Sequence, residues 1–285
     1  MTERKQSMPF APAGERWLAS LKTAGRSEST LDCYARDIRD VASASGLSET
    51  TQLSTLNQAA IDTIAAAWRR NGICEGTIVR RFSALRGFAA YLVREHGINL
   101  SALLSADFPT HPKGMRPPVE EPAIDLLLSE NLDEGWRNAR DSAVFAIQAD
   151  AGLTPAETVG LDVESVDLKS RLVRVLDTHL EARIAGFSDR SRDLLKEYLG
   201  ALPFELAPTD PLFVTSRRTR LHVRTAQISF RRRRIRLGIS PQATLMGLRH
   251  SAAARLVGDG NPPDVVASAL GILDTTAGRY FGRKL

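Results

Sequence analysis

From Pro12 to about Leu104 the apolar positions recur at helical spacing. Trp17, Leu18 and Leu21 predict a short helix broken at Gly25, and Leu31, Tyr34, Ile38 and Val41 predict a second that starts within Ser27 to Thr30. Ile61, Ile64, Ala65 and Trp68 predict a third helix closed by Asn71-Gly72. Ile78, Phe82, Leu85, Phe88, Ala89 and Leu92 predict a fourth, closed by Gly97. The pattern describes a compact helical domain over residues 1–105.

Prolines at 109, 112, 117, 118 and 122, with Gly114 among them, then interrupt the periodicity. Proline removes amide donors and disfavours helix in the preceding residue, so 106–122 reads as an extended linker. A second domain over 123–285 opens with helical patterns at Ala123 to Leu128 and Arg140 to Ala149. Leu172, Val173, Val175, Ile184 and Phe187 predict a short antiparallel strand pair, and helices resume at Asp189 to Leu199. The expected fold is therefore mainly α, with one small antiparallel β-sheet in the second domain.

Composition changes this picture little. A chain of 285 residues, 43% hydrophobic and 25% charged, is long enough for two cores and ordinary for a globular protein. No apolar stretch is long enough to span a bilayer, and the N-terminus lacks the apolar region of a secretory signal, which points to the cytoplasm. Cys33 and Cys74 stand alone, without metal-ligand spacing, and read as two core thiols. No metal or cofactor is expected.

Charge changes it more. The formal net charge is +5 and the pI about 9.5. From Pro211 to Gly258 there is no aspartate or glutamate, while arginine occupies 217, 218, 220, 224, 231, 232, 233, 234, 236, 249 and 255. Exclusion of acid over such a length is the footprint of a phosphate-binding face, because each phosphate contact releases counterions. Arg217, Arg218, Arg220, Arg224, Arg231, Arg232, Arg234 and Arg249 are the candidate contacts. Arg231 to Arg234 are consecutive, so on a helix only two or three can face a ligand, the rest meeting solvent or a carboxylate. Arg80, Arg81 and Arg86 supply a second basic surface on the fourth helix. Two such surfaces joined by a linker suit a clamp around double-stranded DNA.

Several short motifs fall in a telling order. Ser29-Thr30-Leu31 is followed by Tyr34 and Asp37, and Gly76-Thr77-Ile78 by Ser83-Ala84-Leu85-Arg86, Phe88 and Tyr91-Leu92. Arg140-Asp141, Ala151-Gly152-Leu153, Glu157, Leu161 and Val166-Asp167 come next, then Leu248-Arg249-His250, Leu270-Gly271 and Tyr280. In this order and spacing the chain resembles the tyrosine recombinase family, the phage integrases and Xer-type proteins, over nearly its full length. The resemblance implies a helical core-binding domain followed by a catalytic domain that cleaves DNA through a tyrosine.

Active members surround that tyrosine with two arginines, a lysine and two further donors that are usually histidine. Attack of the phenolate on a phosphodiester builds charge on the non-bridging oxygens, which fixed donors stabilise, and the leaving oxygen needs a proton. Carried onto this sequence, Arg249 and His250 match, and Tyr280 is the candidate nucleophile, one residue nearer to Leu270-Gly271 than the family spacing predicts. The first arginine is replaced by Thr154, the lysine by Thr178, the first histidine by Met246 and the last donor by Ile272. Arg174, His179 and Arg183 lie on the hairpin that carries Thr178 and are candidates to substitute, although the sequence does not place their tips.

Three readings follow. The first is a DNA-binding protein of recombinase fold that no longer cleaves, serving as regulator, architectural factor or accessory subunit, with a second copy of itself or an active recombinase as partner. The second is a divergent, active site-specific recombinase using Tyr280 and Arg249. The third is a module whose basic face binds an acidic partner other than DNA.

Overall fold

The computed structural model describes residues 7–110, 115–130, 135–176 and 182–282, and the chain divides into two compact units, Met1–Lys113 and Gly114–Leu285. In the first unit the predicted helices form as α1 (Phe10–Thr23), α2 (Glu28–Ser45), α3 (Gln58–Arg70) and α4 (Glu75–His96), followed by the short α5 (Ser101–Leu104). Local chemistry sets their ends. Ser27 caps α2 by accepting from the Thr30 amide, Asn57 caps α3 by accepting from Ala60, and Gly97 closes α4 in the left-handed conformation. Along α4, Ile78, Phe82, Leu85, Phe88 and Leu92 are fully buried and form the spine of this core.

The expected linker carries anchor points, and one expectation, for the cysteines, is corrected. Ala106 and Phe108 rest on the first core, Phe108 lying 5.6 Å from Phe82, while Val119 is buried in the second core. The proline-bearing stretch is therefore anchored at both flanks. Its prolines exclude helix without preventing the apolar residues between them from packing. The cysteines are not core thiols: Cys33 is half-buried, off the α2 face that carries Leu31, Ile38 and Val41, and Cys74 is exposed where it precedes α4.

The second unit begins with α6 (Glu121–Ser129) and is built around α7 (Trp136–Ala151), which is buried on nearly all sides. Its buried positions include Asn138, Arg140, Asp141, Ser142 and Gln148 as well as apolar residues, so a helix this polar can sit at the centre of its domain only with internal partners for those groups. The chain continues through α8 (Pro155–Gly160), strands β1 (Val166–Asp167), β2 (Leu172–Leu176) and β3 (Ala182–Gly186), and α9 (Asp189–Ala201). It ends with α10 (Val223–Arg236), α11 (Leu245–Gly258), α12 (Pro263–Leu270) and α13 (Asp274–Phe281). The sheet is antiparallel in the order β1-β2-β3. Its first strand, two residues long, is too short to show an alternating pattern.

Register decides which hairpin side chains face inwards. Val173 pairs with Ala185 and Val175 with Arg183, and both valines are buried. Directly opposed residues share a face of the sheet, so Arg183 and Ala185 point inwards. Ile184, expected as an apolar strand position, is 65% exposed on the outer face with Arg174.

The arginine run of α10 is divided by the same geometry. Arg231 and Arg232 are exposed, whereas Arg233 is 2% exposed and donates to Leu127 O, Ser142 Oγ, Asn138 O and Asn138 Oδ1. Glu130 pairs with both Arg233 and Arg236. Removing a buried, fully bonded cation leaves its acceptors unpaired and typically costs about 3 kcal/mol or more, while an exposed arginine is worth under about 0.5 kcal/mol. Urea denaturation of the full chain is thus expected to show a large loss for Arg233→Ala and little change for Arg231→Ala.

Candidate functional site

The site grows from the N-terminus of α8. Pro155 occupies the first turn, and Thr154 before it forms a reciprocal cap: its hydroxyl accepts from the Glu157 amide at 3.1 Å, and its own amide donates to Glu157 Oε2 at 2.6 Å. The cap fixes the Glu157 carboxylate. That same Oε2 accepts from Arg183 Nη2 at 3.0 Å and Arg249 Nη1 at 3.1 Å. One oxygen therefore gathers the start of α8, strand β3 and helix α11.

Arg249 is 5% exposed and held in place by main-chain carbonyls. Its Nη1 donates to Gly152 O at 2.8 Å and its Nη2 to Leu270 O at 2.6 Å. Burial pushes its guanidinium below the usual arginine range, with Glu157 opposing and Arg183 adding to the shift. Arg183 donates from Nη1 to Ala269 O at 3.0 Å, so successive carbonyls at the end of α12 hold the two guanidiniums. Gly271, at φ +62°, leaves room for this: a Cβ there would lie 2.8 Å from Arg183 Nε.

Tyr280 comes in from α13. It is 8% exposed and packs with Ala253, Val266, Ala267, Leu270 and Ala277. Its hydroxyl lies 2.9 Å from His250 Nδ1 and close enough to Arg249 to interact with its charge. The connection that is one residue short thus still delivers the phenol to the arginine and histidine of α11. Arg249, His250 and Tyr280 are brought together, and Arg183 joins them. The inward place of Arg183 follows from the pairing of Val175 with Arg183, which the sequence pattern does not specify.

Positions 154, 246 and 272 carry uncharged side chains. Both the Thr154 hydroxyl and its amide are used in capping α8. Met246 is 37% exposed at the start of α11 and carries no donor, and Ile272 packs against the apolar cluster around Tyr280. Arg174 is exposed on the outer face of β2, away from the site. Thr178 and His179 lie outside the described residues.

The remaining candidate arginines fall into two groups. Arg217, Arg218, Arg224, Arg231 and Arg232 are exposed, Arg218 lying 4.3 Å above the Phe204 ring. The others have internal partners that their number in the sequence did not reveal. Arg220 donates to the carbonyls of Val159, Gly160 and Leu161 and pairs with Asp162. Arg234 holds Pro241 O and Ala243 O. In the first unit Arg80 pairs with the buried Asp37, Arg81 pairs with Asp40 and covers Trp68, and Arg86 lies 4.3 Å above Phe108. Burial raises the Asp37 carboxyl above its usual range against the pull of Arg80.

Comparison with known proteins fits this geometry. Residues 124–280 match the Phage integrase family, and residues 15–96 match the phage integrase N-terminal SAM-like domain. The chain is 33% identical over 260 residues to the tyrosine recombinase XerC of Methylobacterium sp. strain 4-46, covering 85% of this chain and 79% of that protein. It is 30% identical over 268 residues to the XerC of Methylobacterium nodulans, covering 86% and 80%. Among solved structures, a lambda integrase fragment bound as a dimer to a core site superposes with a TM-score of 0.75 at 16% identity, over 98% of both chains. That likeness concerns the fold. The sequence matches span both units and include the helices that present Arg249, His250 and Tyr280, and on their strength the chain belongs to the phage integrase family of tyrosine recombinases.

Proposed function

We propose that this protein binds double-stranded DNA through the exposed arginines of its second unit, aided by the basic side of α4, and no longer cleaves DNA at recombinase rates. It then serves as a regulator, an architectural factor or an accessory subunit, working with a second copy of itself or with an active recombinase. One observation carries the loss of cleavage. Of the four described positions where active members of the resembling family place a donor, only 249 holds a cation: Thr154 offers a hydroxyl whose oxygen caps α8, and the Met246 and Ile272 side chains have no donor. Removing one preorganised donor typically costs about 10² to 10³ in rate, and such losses combine non-additively.

A second reading has its own support in the approach of the Tyr280 hydroxyl to His250 and Arg249. In that case Tyr280 attacks the phosphodiester, its oxygen forming a bond to phosphorus as the 5′ oxygen of the next nucleotide leaves and takes up a proton. A nicked suicide duplex, built on the sequence the protein selects from a random pool, separates the two. The first reading expects binding without a covalent adduct. An adduct formed by the wild type and abolished by Tyr280→Phe establishes the second.

The DNA-binding reading has a separate test. Arg231→Ala with Arg232→Ala is expected to weaken binding to all duplex sequences about equally and to lower the slope of log K against log salt by about two. Wild-type binding that stays flat as salt rises would instead favour an acidic partner other than DNA.

A further inference from the structure

We infer that Arg183 is a phosphate-binding residue, which together with Arg249 forms a fork for the DNA backbone and supplies from β3 the cation that position 154 lacks. The inference rests on the DNA-binding reading above and deepens it. It starts from convergence on a single atom: the Thr154 amide, Arg183 Nη2 and Arg249 Nη1 all donate to Glu157 Oε2, at 2.6, 3.0 and 3.1 Å. The Arg183 guanidinium therefore stands beside the main chain of Thr154, with Arg249 as its neighbour. The inward side chain of β3 thus places a cation next to position 154.

Charge gives the pair its purpose. Among the described residues, Glu157 is the one carboxylate paired with either guanidinium, so two positive charges face one negative. The arginine side chains are only 11% and 6% exposed. Excess positive charge withdrawn from water is costly unless an anion completes it, and two fixed guanidiniums suit the geometry of a phosphate. Both are preorganised as well. Ala269 O holds one and Leu270 O the other, so neither has to be gathered from solution when a ligand arrives. Among the described residues the Arg183 Nε–H is buried without an acceptor, close against Gly271. The pairing is compatible with the loss of cleavage: the fork retains a phosphate without providing the proton donors that strand scission needs.

The competing role for Arg183 is a strut that ties β3 to α8 and α12. Binding of a fluorescent mixed-sequence duplex across a salt series distinguishes the two, with thermal melting recorded for every variant. For Arg183→Gln the expected result is about a tenfold loss of affinity and a fall of about one in the salt slope. Arg183→Lys keeps the charge but loses the planar fork, so it should keep the slope while binding several-fold more weakly. Should the glutamine variant fail to fold, the lysine variant decides alone: affinity equal to wild type overturns the inference. A lower melting temperature with wild-type affinity and slope makes Arg183 a strut and also overturns it. The pair Arg231→Ala with Arg232→Ala is the control. If that control weakens binding while the Arg183 variants do not, this inference fails alone; if the wild type does not bind the duplex, the DNA-binding reading fails and takes this one with it.

Discussion

The site depends on one carboxylate oxygen. Oε2 of Glu157 receives the amide that begins α8 and a guanidinium from each of β3 and α11, and the two arginines extend the connection to the last carbonyls of α12. Four segments distant in sequence thereby share a single acceptor region. A partly buried carboxylate is stable there because three donors satisfy it, and the cations are tolerable because it stands between them. Loss of the carboxylate would leave two neighbouring guanidiniums with only carbonyl dipoles to hold them.

How much of this could be read from the sequence varies from element to element. The helices of the first unit were legible because their apolar stripes repeat cleanly and their caps use Ser27, Asn57 and Gly97, residues whose side chains or backbone freedom name the position. The strand pair was legible, its facing was not. Ile184 is the most apolar residue of β3, yet pairing of Val175 with Arg183 turns it outwards and brings the arginine in. A hydrophobicity pattern carries no information about partner register when one strand has only a single strongly apolar member. The short β1 and the anchoring of Phe108 and Val119 escaped notice for a related reason: single residues and dipeptides have no period.

The basic stretch teaches something different about composition. Acid exclusion from Pro211 to Gly258 is a property of the sequence, but the arginines it leaves serve unlike purposes. Arg233 is a core residue, Arg220 ties down the end of α8, and Arg234 holds the turn beyond its own helix. Guanidinium has five donors in a rigid plane, and a fold rich in irregular main chain can use them to satisfy carbonyls that no helix or strand reaches. Composition alone does not separate these from the arginines that reach the surface.

Thr154 has a consequence for what its position can accept. It caps α8, and its cap partner is the carboxylate that orders Arg183 and Arg249. Arginine in its place would remove the hydroxyl that fixes the helix start and bring a third guanidinium close to Arg183 and Arg249. That substitution is therefore opposed on two counts, once by helix geometry and once by crowding of like charge. A cation at position 154 is compatible with this arrangement only if the start of α8 and the inward residue of β3 change with it.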